Sequence, residues 1–416
     1  MAADYPVRPV GKEEFDPYYA VALHAFNAGQ ESEQHQRNDL AVFEPDRSLA
    51  AFDQDAIIAT ACAYSFELTV PGTVASAAGV SGVSVLPSYR RRGLLSALMR
   101  RQLADVRDRG EAIAVLWASE PGIYGRYGYG NASVQYRLTI DRDAGGLGPL
   151  AAAARRPDGL RLRIAEAPFP RAELAAVYDA VRPVRPGMFA RDGRWWDNVL
   201  ADPPEDRHGA APMRALIAAD GTGTLGYALY NVQSAWDDGI PAHVLSVSEL
   251  MAVSPAAYAA LWSDLLTRDL VATVKAYRRP PDDPLQQLLA DRRRARPLQG
   301  DGLWVRLIDV PGALAQRRYA CPVDLVIEVA DDLVPANAGR WRLQSAGPGG
   351  PASCEPASAA ADVTLPVAAL GACYLGGTRL GEFAAAGLAS QHTDGAIAAL
   401  SAAMSWDPAP WCPMIF

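Results

Sequence analysis

The apolar positions change period abruptly at Pro87. From Val80 to Leu86 the residues are valine-rich and few, the pattern of a buried strand, and Pro87 ends it. Beyond it Leu94, Leu95, Leu98, Met99, Leu103 and Val106 recur every three or four residues. Arg100, Arg101, Arg107 and Asp108 occupy the opposite face, and Gly110 stands where a C-cap belongs, so an amphipathic helix is predicted. Upstream, a helix with Tyr18, Tyr19, Leu23 and Phe26 on its apolar side opens the chain, and a polar stretch runs from Gln30 to Asn38. Residues 49–68 read as a hairpin turning near Asp53, and Ala112 to Ala118 reads as a further apolar strand.

The turn between strand and helix carries the first chemistry. Arg90, Arg91, Arg92 and Gly93 fall at the N-terminal end of the helix, where unpaired backbone N–H groups and the positive end of the dipole favour an anion. Gly93 lets a phosphate approach the main chain, and the guanidinium groups add charge-assisted hydrogen bonds, so a diphosphate suits the corner. The pattern is neither GxGxxG nor GxxxxGK[ST], which weighs against dinucleotide and ATP readings. Strand, [RQ]-x-x-G-x-[GA], helix is the acetyl-CoA signature of the GNAT N-acetyltransferases. Arg90 to Leu95 resembles it, with Leu95 in place of the last small residue. The plainer alternative is a solvated arginine cluster on an ordinary helix.

A second succession of the same kind follows a Gly/Ala/Arg/Pro-rich connector from Ala144 to Asp158. Residues 170–181 predict a helix, residues 214–232 a hairpin turning on Asp220 and Gly221, and residues 244–266 a strand running into a helix. Leu250 to Pro255 stand where Val83 to Ser88 stand in the first copy, but the arginines and glycine are missing, so this copy has no device for a diphosphate. Residues 300–416 differ again. They carry strands around 301–310, 323–330 and 340–346, a Pro/Gly/Ser-rich turn near 348–356, and then helical stretches, a pattern compatible with a sterol carrier protein fold.

Composition narrows the class. The 416 residues are half apolar, enough for two or three cores, and the net charge of -8 disfavours nucleic acid as a partner while suiting cationic small molecules. Cys62, Cys321, Cys354, Cys373 and Cys412 are scattered without CxxC spacing, and the five histidines are dispersed, so neither a disulfide framework nor a metal site is expected. No secretory signal core and no run of eighteen apolar residues occurs, which predicts a cytoplasmic protein without a membrane segment.

Acetyl transfer to an amine needs a proton acceptor for the ammonium and a donor for the departing thiolate. Ser119 to Gly130 follow the strand 112–118 and contain Tyr124, Tyr127 and Tyr129 among glycines that permit tight turns. A phenol near 10 stays protonated until needed, although Tyr127 and Tyr129 also read as packing for the loop. Glu120 is a conventional carboxylate base beside the strand end. With the arginine corner, SEPGIYGRYGYG, the degenerate second copy, DGLWVRLIDV and the apolar end WCPMIF, the whole chain resembles the Eis family of acetyltransferases. That resemblance implies tandem mixed α/β GNAT folds, the first active and the second degenerate, followed by a sterol-carrier-protein-like α+β domain. The expected boundaries are 1–140, 141–299 and 300–416.

The resemblance also implies roles. Tyr124 becomes the general acid and the terminal carboxylate of Phe416 the general base, with Ile415 beside it. Backbone groups of Val83, Ser84 and Val85 run along pantetheine, Arg90, Arg91, Arg92, Gly93, Leu94 and Leu95 meet the phosphates, Ser119 borders the channel, and main-chain N–H near Val83 polarises the thioester carbonyl. An α-carboxylate near 3.5 facing an ammonium near 10.4 leaves about 7 units, roughly 9 kcal/mol, so burial must narrow the gap. Relatives acetylate aminoglycosides and hold their cations with an aspartate after the phenylalanine of the first helix and a glutamate before the last residue. Here Phe26 is followed by Asn27, and Ile415 precedes Phe416, so Glu31 or Glu33 compensates only if that loop faces the cleft. Trp195 and Trp196 are wall or core. The acceptor is then a small polyamine, a lysine side chain or a peptide, and hexameric assembly is implied. A non-catalytic protein holding an apolar ligand in its last segment is the reading from another class.

Overall fold

The computed structural model describes residues 5–29, 31–142, 146–148 and 159–416, so most of the expected connector lies outside the described residues. Its first part contains β1 (Val7–Pro9), α1 (Phe15–Ala25), α2 (Glu33–Val42), β2 (Ser48–Asp53), β3 (Ala56–Val70), β4 (Thr73–Val85), α3 (Leu94–Asp108), β5 (Ile113–Trp117), α4 (Pro121–Tyr124), β6 (Gly130–Asn131) and β7 (Val134–Asp141). The polar stretch is therefore a helix. Ser32 Oγ caps α2 by accepting the His35 N–H at 3.2 Å, but only Val42 on it is buried, so apolar spacing could not announce it. In α1 Tyr18 is buried, whereas Phe26 falls just past the helix and stays 47% exposed. Helix α3 buries Leu94, Leu98, Met99, Leu103 and Val106, the predicted stripe.

The second succession yields β8 (Arg161–Ala165), α5 (Arg171–Val181), α6 (Gly193–Val199), β9 (Arg214–Asp220), β10 (Gly223–Gln233), β11 (Trp236–Asp237), β12 (Ile240–Pro241), β13 (His243–Ala252), α7 (Pro255–Thr267), β14 (Val271–Arg279), β15 (Leu298–Asp301) and β16 (Leu303–Leu307). Two seven-stranded sheets result, in the orders β1-β2-β3-β4-β5-β16-β6 and β15-β7-β14-β13-β10-β9-β8. Each holds one parallel pair, β4 with β5 and β13 with β14, joined by α3 and α7 respectively. The repeat is thus real in topology.

The sheets exchange strands across the expected boundaries. Strand β7, expected in the first segment, pairs with β14 and β15 of the second sheet. Strand β16, expected in the third segment, pairs along the whole of β5 in the first. The reason is burial: Ile113 to Leu116 are almost fully buried, and Leu303, Val305 and Leu307 cover the edge that would otherwise face water. The third sheet is built from β17 (Val323–Ala330), β18 (Gly339–Ser345), β19 (Ala352–Pro356), β20 (Val363–Pro366) and β21 (Ser390–Gln391), in the order β19-β18-β17-β20-β21. Part of the expected Pro/Gly/Ser-rich turn is strand β19, whose Cys354 side chain is buried.

One apolar core runs through the first and third units. Phe66, Leu68 and Val115 share it with Leu365, Leu400, Cys412 and Met414, and the ring of Phe416 packs against it. Residues 411–416 are consequently packed against the interior, which brings Phe416 to the first sheet.

Candidate active site

The site forms where β4 and β5 part. Their parallel ladder ends with Val80 opposite Leu116, yet β4 continues to Val85, so residues 81–85 present an edge without a neighbouring strand on that side among the described residues. A bulge opens the same stretch. Thr60 faces Ser84 while Cys62 faces Ser81, which leaves one extra residue in β4, and Gly82 takes φ +56° there. Thr60 Oγ1 fixes the bulge by donating to Gly82 O at 2.7 Å and, its one proton so used, accepts from Ser84 Oγ at 2.6 Å.

The arginine corner lies at the end of this edge. Gly93 caps α3 with φ +84° and no side chain, and a Cβ added to it would meet nothing within 4 Å. First-turn N–H groups therefore face open space with the positive end of the helix outward. Arg90 and Arg91 are exposed and make no side-chain hydrogen bond or ion pair among the described residues. Arg92 is placed otherwise than expected. It donates to Tyr5 Oη and to Ser88 O at 3.1 Å and lies 4.9 Å from the Tyr89 ring centroid, so it braces the turn from outside. Leu94 is buried in the core against which Val83 and Val85 pack, and Leu95 is half-buried. Only their backbone is free for an anion.

The second copy is closed at the same place. Ser254 Oγ accepts the Ala257 N–H at 3.2 Å and Pro255 occupies the first turn of α7, so two of the first-turn donors that Gly93 leaves open are there capped or absent.

A cavity of about 330 Å3 extends from the bulge. Val83 and Trp117 line it from the sheet, Ser119 and Tyr124 from the segment after β5, Tyr18, Tyr19, Phe26, Glu31 and Asp39 from the first two helices and their connections, and Ile415 and Phe416 from the tail. Through Glu31, Asp39, Tyr64, Ile415 and Phe416 it adjoins a second cavity of about 410 Å3, whose far wall is Arg191, Trp195, Glu249 and Arg278. Trp195 is thus wall, and Trp196 is core, edge-on to the Tyr178 ring at 5.7 Å.

Tyr124 is 7% exposed, and its hydroxyl makes no hydrogen bond within the described residues. Burial, then the negative charge of Glu120 and the neighbouring Tyr127, push its phenol up to about 12. Glu120 itself is exposed and does not line the cavity, which corrects its expected place beside the substrate; it stands at the residue before α4 and makes no capping hydrogen bond there. Tyr127 and Tyr129 are buried in the core under α3.

The tail is gripped along its length. Trp411, Cys412 and Met414 are buried, Ser81 Oγ donates to Phe416 O at 2.9 Å, Trp117 Nε1 to Met414 O at 2.9 Å, and Arg278 Nε to Pro413 O at 3.0 Å. The Phe416 ring meets Phe66 and Phe189 edge-on at 5.0 and 5.3 Å. Ile415 is 57% exposed on the cavity wall.

Acids do reach the cavity. Tyr19 Oη donates to Glu31 and to Asp39, the latter at 2.8 Å, and one phenolic proton cannot satisfy both at once. Burial, with Glu31 alongside, raises the Asp39 carboxyl. Glu33 points outward to Arg37. Sequence reasoning missed Asp39, one residue beyond the polar stretch, and also Ser81, Tyr64, Trp117 and Arg278. Ser81 had a signal, a hydroxyl before a glycine inside a valine-rich strand; Arg278 had none. Among the described residues no three His, Cys, Asp or Glu side chains group as a metal site, and no helix is long and apolar enough to cross a membrane.

Comparison with known proteins agrees with this architecture. Models described as acetyltransferase (GNAT) domain match residues 6–132 and 187–307, and one described as sterol carrier protein domain matches 310–413. The chain is 41% identical over 411 residues, 98% of each protein, to an uncharacterized N-acetyltransferase of Streptomyces coelicolor. It is 38% identical over 344 residues to N-acetyltransferase Eis of Mycobacterium tuberculosis, covering 79% of this chain and 78% of that one. The crystal structure of Eis1 from Mycobacterium abscessus superposes with a TM-score of 0.83 at 33% identity, covering 99% of this chain and 100% of that one. Two GNAT folds, only the first with an open anion corner, a sterol carrier protein domain behind them and these relatives together place the chain in the Eis family of GNAT N-acetyltransferases, with acetyl-CoA as co-substrate.

Proposed function

We propose that the protein transfers the acetyl group of acetyl-CoA directly to a primary amine of a small polyamine such as an aminoglycoside, with the terminal carboxylate of Phe416 as base and Tyr124 as proton donor. The observation that carries this reading is that the last residue of the chain and the unpartnered Tyr124 line one cavity beside the β4 bulge. The thioester would lie along the free edge of Val83 to Val85 with its diphosphate at Arg90, Arg91 and the N–H groups of Gly93 to Leu95. The acceptor ammonium would give a proton to the Phe416 carboxylate, and its nitrogen would form the new C–N bond. Main-chain N–H near Val83 would hold the oxygen as charge develops on it. The C–S bond then breaks, and the thiolate leaves toward the Tyr124 hydroxyl. Full transfer from a phenol near 12 to a thiol near 8.5 is uphill by about 3.5 units, roughly 5 kcal/mol, so the phenol acts first as a hydrogen-bond donor to the developing thiolate.

Glu31 and Asp39 supply negative charge at positions other than those the family resemblance implied, and two adjoining cavities leave room for an acceptor with more than one amine. Cytoplasmic location and hexameric assembly remain part of this proposal. The test incubates the protein with acetyl-CoA and a panel of aminoglycosides, linear polyamines and lysine peptides while following free thiol. Turnover is expected fastest with the polycationic small molecules. Faster turnover with peptides would reassign the acceptor, and no turnover with any amine would overturn the reading.

A further inference from the structure

Strand β14 belongs to the copy that cannot hold a diphosphate, yet its end is shaped toward the active site. Ala276 faces Leu138 and Arg279 faces Tyr136, so three steps along β14 match two along β7, and one residue is extra. Within that bulge Arg278 takes φ +49°, a left-handed conformation costly for a residue with a Cβ. Such a device re-aims a side chain, and here it aims both ends of one residue at the tail. The Arg278 carbonyl accepts from Trp411 Nε1, and its Nε donates to Pro413 O at 3.0 Å, while one terminal nitrogen reaches Ser248 O at 3.3 Å. No carboxylate pairs with this guanidinium among the described residues. Burial lowers its pKa, in contrast to Arg191, which Glu249 holds charged nearby. Arg278 also lines the cavity that Met414, Ile415 and Phe416 line.

We infer that Arg278 is a positioning residue for the terminal base: the second GNAT copy, having lost the phosphate corner, serves catalysis by fixing the tail that carries the Phe416 carboxylate. This rests on the proposed role of that carboxylate. Removing the guanidinium frees Pro413 O and lets the last three residues shift, and a displacement of about 1 Å in a reacting group costs on the order of 100-fold in rate.

The test is a double-mutant cycle on the full chain, combining Arg278→Gln with a chain extended by one alanine beyond Phe416, with kcat and KM for the amine and calorimetric CoA affinity measured for each. Arg278→Gln alone is expected to lower kcat by about 10- to 100-fold with CoA affinity unchanged, and Arg278→Lys, which can still donate to Pro413 O, to recover part of that loss. In the extended background Arg278→Gln should change nothing further. Multiplying losses would mean that Arg278 acts independently of the tail, for instance on the acceptor, and would overturn the inference, as would an unchanged kcat. If the extension alone leaves turnover intact, the carboxylate reading fails first, and this inference with it. Should Arg278→Gln not fold, the Arg278→Lys arm decides: a partial loss of kcat in the native chain that vanishes in the extended chain supports the positioning role, and no loss, or a loss that multiplies with that of the extension, contradicts it.

Discussion

A chain lengthened by one alanine beyond Phe416 binds CoA normally and loses acetyl transfer by about 100-fold or more, the range expected when a general base is removed. The added residue turns the terminal carboxylate into a neutral amide and carries the charge about 3.8 Å further along the chain, out of hydrogen-bond reach of the same amine. The fold should tolerate the change. Ser81 Oγ needs only an oxygen at Phe416 to keep its 2.9 Å bond, Trp117 and Arg278 hold carbonyls further back, and the Phe416 ring keeps its edge-on contacts with Phe66 and Phe189. Initial rates of thiol release, with thermal unfolding as a control, check this outcome. Wild-type turnover by the extended chain would leave the protein without its proposed base, since Glu120 stands outside the cavity and the carboxylates at Glu31 and Asp39 already share the Tyr19 hydroxyl.

Tyr124→Phe should lower kcat by about 100-fold, about 2.7 kcal/mol of barrier, with little change in KM for the amine, because the hydroxyl meets charge that develops only as the C–S bond breaks. The substitution removes one oxygen that no other group in the described residues uses, so stability should hold. Its pH dependence is also specified. A phenol raised to about 12 keeps its proton through the range in which an ordinary tyrosine, near 10, would lose it. The wild-type kcat/KM therefore shows no descending limb from Tyr124 before about pH 11, and any fall near 10.4 as the free ammonium loses its proton is the same in Tyr124→Phe. A limb centred near pH 10 that disappears in Tyr124→Phe would contradict the burial of this group.

How much of this was legible in the sequence depends on whether a pattern repeats or merely meets. The strand, corner and helix from Val80 to Val106 could be read because alternating periods and a glycine are local facts, and the second copy because it repeats them. The exchange of strands across the expected boundaries has the opposite cause. Strands β7 and β16 carry ordinary apolar patterns, and nothing local says that each crosses to the other sheet; that is decided by which buried edge needs a partner, a long-range matter. Arg92 was misplaced because adjacency in sequence does not fix direction, and Tyr5 and Tyr89 draw its guanidinium away. Asp39 and Arg278 escaped notice for the same reason, since one lies on a helix too polar to show a period and the other owes its aim to a bulge. The tail was legible only as an apolar end plus a family resemblance, and its grip by Ser81, Trp117 and Arg278 required the fold.

On the proposed reading only the first copy holds acetyl-CoA, at Arg90, Arg91 and the open end of α3, while Ser254 and Pro255 obstruct the second. Calorimetric titration of the full chain with CoA decides between one site and two. One site per chain is expected, with affinity lowered at least about 10-fold in Arg90→Ala/Arg91→Ala as charge-assisted contacts to the diphosphate are lost. Two sites per chain, or one whose affinity ignores both arginines, would contradict it.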